Sequence, residues 1–427
     1  MNTGLSMYNL CKELFPINRS LTGDGVRETL KILQREIPEL NIFEVPSGTQ
    51  CFDWTVPNEW NCNEAYIIDP DGNKICDFSK NNLHLLGYST PIDKTLSLDE
   101  LNEFLYDLPS LPDAIPYMTS YYKERWGFCI SHNERKKLKQ GEYKIYIDST
   151  LEKGNLTYGE LLIKGDTTEE IFFSTYVCHP SMGNNELSGP AVVTYLAKYI
   201  KSLKNRRYTY RIIFIPETIG SIMYLSKNFQ EMKKNIVAGF NVSCVGDNNI
   251  YSYLPTPKGN TLADKAALHV LNHKIVDYKM YSFLDRASDE RQYCSPNVNL
   301  PVCCIMRSKY GEYKEYHTSL DDLNFISCEG LNGTYEVYVE VINVLEKNNK
   351  YLLTTFGEPQ LGKRGLYPTL STTGTKEKVK DMMDFLAYCD GKNDLIDIAN
   401  IISKPAWELF NIINQLLDKD LIIKINN

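Results

Sequence analysis

The sequence lacks the signals of several common protein classes. None of its twelve cysteines stands in a CxxC pair, so neither a disulfide framework nor a cysteine-rich zinc site is predicted. The chain contains no GxGxxG or Walker sequence and no GxSxG, which argues against a nucleotide-dependent enzyme and against a serine hydrolase. The cysteines are therefore expected to be reduced thiols in the protein core.

Long apolar runs and an excess of positive charge are also missing. No apolar stretch approaches the roughly 18 residues of a membrane span, and the N-terminus has no charged segment followed by an apolar one. The net charge of −8 argues against a nucleic-acid-binding surface spread over the chain. We therefore expect a cytoplasmic protein that has neither a membrane nor a nucleic acid as its partner.

The 427 residues that are present exceed one ordinary domain. Residues 1–49 and 156–349 are predicted to form a core, because apolar runs alternate there with amphipathic, helix-like segments. Residues 50–155 are rich in aromatics and short alternating runs, which predicts an inserted, mostly β domain. Residues 350–427 show three short helical patterns and a final β-like run, typical of a winged helix-turn-helix.

The C-terminal segment has the wrong charge for a DNA reader. From Lys376 onward it holds seven Lys, no Arg and nine Asp plus Glu, whereas DNA recognition needs a basic face. We interpret it as a packing or dimerisation module, which leaves a homo-oligomer open.

The alternation of strands and helices in the core predicts an α/β fold with a doubly wound, mainly parallel sheet. In such sheets ligands bind in the crevice outside the carboxyl ends of the strands. The first predicted strand ends at His179, the second at Glu217 and the third at Asp247. His317 follows the fourth strand, so these side chains are expected to converge.

Imidazole nitrogen and carboxylate oxygen are the usual ligands of catalytic zinc, which keeps one position for water. A lone histidine near a core is more often a structural residue, but a second one at the same crevice favours a metal site. His179, His317 and Glu186 are residues of the types that bind catalytic zinc. Glu217 supplies a base that can accept a proton from water.

The loop before the fourth strand holds Asp289 and Arg291. Arg291 could clamp a substrate carboxylate in bidentate geometry, or the loop could form an internal ion-pair network. Tyr316 could line a substrate wall or simply pack in the core. Both interpretations stay open for each residue. We take Asp289, Arg291 and Tyr316 as candidate substrate-binding residues.

Four segments together resemble one protein family: "CHPSMGNNELSGP", "FIPETIGS", "SDERQY" and "EYHTSLDD". They look like the aminopeptidase-like proteins related to bacterial zinc aminopeptidases, whose genes often lie in polysaccharide-biosynthesis clusters. "RSLTGDGVRETL" and "FDWTVPNEW" fit as well, so that the resemblance covers nearly the whole chain. It implies a zinc-aminopeptidase-like core, an inserted β-rich domain and a C-terminal winged helix.

The resemblance also assigns roles at individual positions. His179 and His317 match the family's two histidine ligands, and Glu217 matches its base. The family's Asp two places after the first histidine is Ser181 here, and its bridging Asp is Asn185.

Two further carboxylates are missing at matched positions. Thr218 stands where the family has a ligand Glu, and Ser243 stands where it has an Asp. Because neutral groups bridge two cations poorly, we expect one zinc ion. Glu186, one place beyond the bridging position, is the first candidate for the missing carboxylate, and Asp247 is the second.

The sequence thus favours a zinc metallopeptidase, an aminopeptidase-like hydrolase of amide bonds in small-molecule or peptide-like substrates. The alternative is a degenerate, non-catalytic peptidase-like protein that binds a peptide or a glycan precursor. A transcriptional regulator is a third idea, but it needs a basic recognition helix that this sequence lacks.

Overall fold

The structure is a computed structural model that describes residues 3–121, 123–367 and 373–425. Part of the predicted turn-rich link, residues 368–372, lies outside the described residues. The chain divides into two compact units, Met1–Gly259 with Lys279–Tyr335, and Asn260–Tyr278 with Glu336–Asn427. The predicted division into core, insert and C-terminal domain stays a prediction.

The α-helices have the following bounds. They are α1 (Thr3–Leu14), α2 (Asp24–Glu36), α3 (Leu98–Leu101), α4 (His132–Arg135), α5 (Ser188–Ser202), α6 (Ile219–Asn235), α7 (Leu262–Lys274), α8 (Glu290–Tyr293), α9 (Cys328–Lys347), α10 (Thr373–Ala387), α11 (Leu395–Ile401) and α12 (Ala406–Asp418).

The strands range from two to eleven residues. They are β1 (Asn41–Pro46), β2 (Gln50–Cys51), β3 (Trp54–Thr55), β4 (Glu59–Ile68), β5 (Lys74–Ile75), β6 (Ile92–Ser97), β7 (Leu105–Tyr106), β8 (Phe128–Cys129), β9 (Glu142–Glu152), β10 (Asn155–Ile163), β11 (Glu170–Tyr176), β12 (Thr209–Ile215), β13 (Ile236–Asn241), β14 (Tyr251–Leu254), β15 (Tyr278–Met280), β16 (Val302–Met306), β17 (Lys350–Leu353), β18 (Asp390–Asp394) and β19 (Ile422–Ile425).

An eight-stranded sheet with the order β1-β10-β12-β11-β13-β16-β14-β15 forms the centre of the first unit. Its four middle strands, β12, β11, β13 and β16, run parallel, and β1, β10 and β14 are antiparallel to their neighbours. Every residue of β11 and β12 is buried. This burial explains why apolar residues in these two strands follow one another instead of alternating with exposed polar ones.

Helices cover the sheet as the alternating pattern predicts. α5 packs against β11, β12 and α1, and α2 packs against β10. The predicted fold class, a doubly wound α/β sheet with a β insert and a winged helix, is confirmed.

The inserted β region forms its own antiparallel sheet with the order β5-β4-β9-β6. β4 and β9 pair over most of their length, from Glu59↔Glu152 to Ile68↔Lys144. Trp60 and Tyr143 are buried in the core that this sheet shares with the central one. The aromatic-rich composition of the insert therefore reflects packing.

The second unit contains the winged helix. The three-stranded sheet β18-β17-β19 accompanies α11 and α12. A capping box at Asp394, whose side chain accepts from the backbone N–H of Asp397, begins α11. α7, although it comes from the middle of the sequence, packs against α11 within this unit.

None of the helices in the described part of the chain combines the length and the apolar character that crossing a membrane requires.

We expect acid to destabilise the second unit through His269. Its Nδ1 contacts Asn400 Oδ1 at 2.6 Å, and its Nε2 accepts from the backbone N–H of Ala406 at 2.9 Å. This acceptor role requires the neutral ring, and burial lowers the pKa of His269 below its ordinary value. The unfolded chain therefore binds the proton first, and stability is lost as the pH falls below about 6.5.

Hydrogen exchange of α12 measured between pH 8 and pH 5 tests this expectation. Protection should fall towards pH 5 in the wild type. In His269→Gln, which does not titrate in this range, protection should be lower at pH 8 and should change less with pH. An equal pH dependence in both proteins would contradict the assignment.

Candidate active site

A cavity of about 520 Å³ lies in the first unit, and His179, Glu217 and His317 line it. His179 follows β11 and Glu217 follows β12, two neighbouring parallel strands, so that both side chains leave the same edge of the sheet. His317 lies in the loop after β16. The structure thus brings together three residues that the sequence placed at strand ends.

Both ring nitrogens of His179 face a carboxylate. Nδ1 lies 2.9 Å from Glu186 Oε2, and Nε2 lies 3.6 Å from Glu217 Oε2. Burial disfavours the charged ring, but the neighbouring Cys178 sulfur and the Glu186 carboxylate outweigh burial and raise the pKa of His179. The Glu186 contact fixes the orientation of the ring, so that Nε2 points towards Glu217.

Glu186 lies behind His179 and does not line the cavity. It belongs to a π-helical turn, Gly183–Leu187, that leads into α5. The guanidinium of Arg19 lies 3.4 Å from its Oε1 and donates to the carbonyl of His179 at 2.9 Å; both side chains are fully buried. The Arg19 guanidinium already compensates the negative charge of Glu186. This ion pair disfavours Glu186 as a direct metal ligand and favours it as the residue that orients His179.

Cys178, His179 and Glu186 form a tight group whose donor atoms lie within 4.8 Å of one another. Burial raises the pKa of the Cys178 thiol to about 11, and Arg19 adjoins Glu186. A protonated thiol and a neighbouring guanidinium both oppose cation binding, so we interpret this group as a hydrogen-bond network.

Glu217 is held by a residue that sequence reasoning missed. The hydroxyl of Ser288 donates to Glu217 Oε1 at 2.7 Å. Glu290, the buried first residue of α8, accepts from the backbone N–H groups of Ala287 and Ser288 at 2.9 and 3.0 Å. Burial raises the pKa of Glu217, although His179 and Ser288 oppose it. A carboxylate with a raised pKa is suited to accept a proton.

Thr218 adopts an unusual backbone conformation beside Glu217, with φ at +64°. For a β-branched residue this is strained. Its N–H donates to Asp289 Oδ1 at 2.7 Å, and its hydroxyl accepts from Arg291 Nη2 at 2.9 Å. Asp289 therefore stabilises the turn at Glu217 and Thr218. Burial raises the pKa of Asp289 to about 8. Arg291, in contrast, lines the cavity.

His317 presents a free nitrogen in a buried position. Its Nε2 has no hydrogen-bond partner, and burial, followed by the neighbouring His179, lowers its pKa to about 3. The ring is therefore neutral at physiological pH, and its lone pair is available. Tyr316 stacks on the ring with a centroid distance of 3.9 Å and does not itself line the cavity.

The insert contributes Tyr117 to the cavity. Its backbone N–H donates to the carbonyl of His317 at 2.8 Å. The Tyr117 ring meets His179 and His317 edge-on, with centroid distances of 5.3 and 5.1 Å. Its hydroxyl lies 2.8 Å from that of Tyr121, so the insert forms one wall of the site.

His179 and His317 bring two imidazole rings to one cavity. The centroids of His179 and His317 are 5.4 Å apart, close to the roughly 5 Å expected for two imidazoles on one tetrahedral ion with Zn–N distances of about 2.0–2.1 Å. The Nε2 of His317 is a neutral nitrogen, whereas the His179 ring, whose pKa is raised, would have to release a proton to bind a cation. Catalytic zinc uses three protein ligands and a water, of which the two histidines would supply two.

A second ion would lack negative charge. The Oδ1 of Asn185 and the hydroxyl of Ser243, at two of the positions without a carboxylate, are buried without hydrogen-bond partners. Both are neutral groups. Thr218 likewise offers only a hydroxyl, which Arg291 already engages.

Asp247 is placed differently from the expectation. Its Oδ1 accepts from the backbone N–H of Asn249 and the hydroxyl of Ser308, and its Oδ2 accepts from Asn184 and from the Ser308 N–H, all at 2.8–3.0 Å. Both oxygens are thus engaged, and Asp247 does not line the cavity. This geometry gives it a structural role.

Two family models and a curated relative match this sequence. The model of a domain of unknown function, DUF4910, matches residues 8–348, and a winged helix-turn-helix model matches residues 349–424. A protein from Clostridium acetobutylicum, provisionally named a polysaccharide biosynthesis protein with an aminopeptidase-like domain, is 48% identical over 400 residues, which are 93% of this chain and 91% of the relative.

Solved structures agree with these matches. A crystal structure provisionally named as a peptidase, also from Clostridium acetobutylicum, superposes with a TM-score of 0.94 at 45% identity and covers 99% of this chain and 97% of its own. The zinc aminopeptidase of Bacillus subtilis superposes with a TM-score of 0.57 at 13% identity, over 81% of this chain and 95% of its own. The latter likeness shows the fold alone.

Proposed function

The chain belongs to the DUF4910 family of aminopeptidase-like proteins with a C-terminal winged helix, and from that membership we propose that it hydrolyses amide bonds with the help of one zinc ion. The observation that carries the proposal is that His179, Glu217 and His317 line one cavity, with the Nε2 of His317 buried and without a hydrogen-bond partner. Leaving a buried polar atom without a partner costs free energy, and a metal ligand role explains its retention.

His179 and His317 would hold the ion through their Nε2 atoms, and Glu186 would keep the His179 ring in place through Nδ1. Zinc bound there supplies Lewis-acid polarisation of a substrate carbonyl. The Arg19 guanidinium lies 3.4 Å from Glu186 Oε1, and both side chains are fully buried, so that each charge has its partner.

Glu217 would act as the general base. It accepts a proton from water while the water oxygen bonds to the acyl carbon, and it returns the proton to the nitrogen as the C–N bond breaks. The products are a carboxylic acid and an amine, and Glu217 is regenerated. Ser288 fixes Oε1 of Glu217, which leaves Oε2 for the proton.

A binding protein without catalysis is the second candidate. Neutral residues at Asn185, Thr218 and Ser243 favour it, because they leave the site with fewer anionic ligands than a two-metal hydrolase requires. Its ligand would be a peptide or a glycan precursor, and the name of the Clostridium relative supports the latter. In that case Glu217 would bind a ligand group and would not move a proton.

Elemental analysis of the full-length protein, combined with a broad panel of aminoacyl, peptidyl and acyl amides, separates the two candidates. About one zinc ion per chain together with hydrolysis of a panel member supports the hydrolase. Two zinc ions per chain would contradict the inference that the site has ligands for only one ion. Bound zinc without any hydrolysis across the panel, or no bound metal at all, would favour the binding protein.

We further propose that the winged helix does not bind nucleic acid. α12, at the position of the recognition helix, contains the acidic residues Glu408 and Asp418 and no Lys or Arg. Duplex binding requires neutralisation of phosphates by basic side chains.

The full-length protein should accordingly show no salt-sensitive binding to duplex DNA in fluorescence anisotropy titrations between 50 and 200 mM salt, the range in which about 6–10 phosphate contacts change affinity by about 10³–10⁵-fold. Tight binding that weakens steeply across that range would overturn this prediction.

A further inference from the structure

The cavity holds few charged side chains. Among the described residues that line it, Glu217 is the only carboxylate and Arg291 is the only Lys or Arg. An aminopeptidase substrate brings a free α-ammonium group, which must find a compensating negative charge when it leaves water. This cavity has little to offer such a group.

Glu217 is already engaged at one oxygen, because its Oε1 accepts from Ser288. Its Oε2 lies 3.6 Å from the Nε2 of His179. The proposed function further requires Glu217 to accept a proton from water, which it cannot do while it forms an ion pair with an ammonium group.

The other acids of the "SDER" segment do not reach the cavity. Asp289 is fully buried and accepts from the Thr218 N–H and the Ser221 hydroxyl at 2.7 and 2.8 Å. Glu290 is also fully buried and accepts from two backbone N–H groups and from Tyr310. The carboxylates of Asp289 and Glu290 therefore stabilise the loop through these hydrogen bonds.

Arg291 is available for a ligand. The one hydrogen bond of its side chain among the described residues goes from Nη2 to the hydroxyl of Thr218 at 2.9 Å, and no described carboxylate lies within 4.0 Å of its guanidinium. The remaining N–H groups form a planar fork suited to a carboxylate. Thr218 directly follows Glu217, so this fork lies beside the place where the scissile amide would bind.

Trp54, Tyr117, Tyr121 and Ile219 add apolar surface to the cavity, and Tyr117 is fixed by its backbone bond to His317. Such walls suit an aromatic or aliphatic portion of a substrate.

We propose that the cavity selects amides that carry a carboxylate and have no free amino group beside the scissile bond, with Arg291 as the residue that recognises the carboxylate. The proposal rests on the proposed function for the location of the amide. The charge preference itself can be measured by binding, independently of hydrolysis.

Isothermal titration of the full-length, zinc-supplemented protein with four probes provides the test. N-benzoylglycine carries a carboxylate on the amine side of the amide, and N-phenylsuccinamic acid carries one on the acyl side. N-benzoylglycinamide has no charge, and phenylalaninamide has a free amine. We expect at least one acidic probe to bind about tenfold or more tighter than the last two, as a charged hydrogen bond allows.

Arg291→Gln should abolish this preference. Arg286→Gln is the matched control, because it removes the same charge from the same loop at a side chain that packs over Phe283 and does not line the cavity. Equal or absent binding of the acidic probes, tighter binding of phenylalaninamide, or an unchanged preference in Arg291→Gln would each overturn the proposal.

Hydrolysis of the probes, followed in the same samples, separates this proposal from the proposed function. Tight, Arg291-dependent binding of an acidic probe that is never cleaved would uphold the charge preference and count against the hydrolase. Cleavage of phenylalaninamide, with weaker binding of both acidic probes, would uphold the hydrolase and refute the charge preference.

Discussion

Replacement of His317 by alanine is expected to remove most of the bound zinc, from about one ion to below about 0.1 ion per chain, because metal affinity depends on each neutral nitrogen ligand. His179→Ala should have the same effect. Elemental analysis of the purified variants after dialysis measures the result, and circular dichroism establishes whether each variant is folded.

The structural basis differs between the two histidines. His317 has a buried Nε2 without a partner and a pKa lowered to about 3, so that His317→Ala removes a neutral donor and leaves no unpaired charge. His179 also carries the contact to Glu186, so that His179→Ala leaves the Glu186 carboxylate with Arg19 alone. We therefore expect His179→Ala to lower the thermal stability more than His317→Ala.

His273→Ala is the matched control, because His273 lies in the second unit and has no part in the cavity. It should keep full zinc content. Glu186→Gln should weaken zinc binding by about 10–100-fold, the usual effect of removing a residue that orients a histidine ligand. Full metal content in folded His179→Ala and His317→Ala would place the metal site elsewhere.

Much of the fold could be predicted because burial leaves a strong mark on sequence. β11 and β12 are buried at every position, which favours apolar residues without alternation, and this pattern ends where the chain reaches the edge of the sheet. Since neighbouring parallel strands end at the same edge, His179 and Glu217 had to lie close together. The structure bears this out with a distance of 3.6 Å.

The contacts of Glu186 could not be read from the sequence. Its position next to that of a family ligand predicts a metal ligand, and that role stays a prediction. Which nitrogen of His179 it meets depends on the π-helical turn and on Arg19, a residue 160 positions earlier than His179. Asp247 presents the same difficulty, because its four donors come from Asn184, Asn249 and Ser308.

Ser288 and Tyr117 carried no usable signal at all. A serine in a polar loop is common, and only the fold brings its hydroxyl to Glu217. Tyr117 reaches the site through an isolated bridge between Pro116 and Thr318, a pairing across about two hundred residues that no periodicity announces. Sequence patterns report local burial well, and they report distant pairings poorly.

Replacement of Glu217 by glutamine is expected to retain zinc and to lower hydrolysis by at least about a hundredfold, the low end of general-base contributions. Glutamine keeps the shape of the side chain and can still accept the hydrogen bond from Ser288, but it cannot take a proton from water. The comparison of metal content with turnover is therefore informative.

The distance of Glu217 Oε2 from His179 Nε2, 3.6 Å, makes a ligand role the main competing interpretation. A ligand carboxylate would contribute to metal affinity, so that Glu217→Gln would lose zinc as well as activity. A base would contribute to turnover only. Ser288→Ala serves as the companion variant, because it leaves the carboxylate in place, removes its hydrogen bond and should reduce turnover less than Glu217→Gln.

The measurement requires a substrate that the wild type cleaves, drawn from the amide panel, with zinc content determined on the same preparations. Loss of zinc in Glu217→Gln would make Glu217 a ligand, and equal turnover with full zinc would remove it from the mechanism. Burial raises the pKa of Glu217, and His179 and Ser288 oppose that effect. A carboxyl group with a raised pKa is better able to accept a proton from water and to return it to the departing nitrogen.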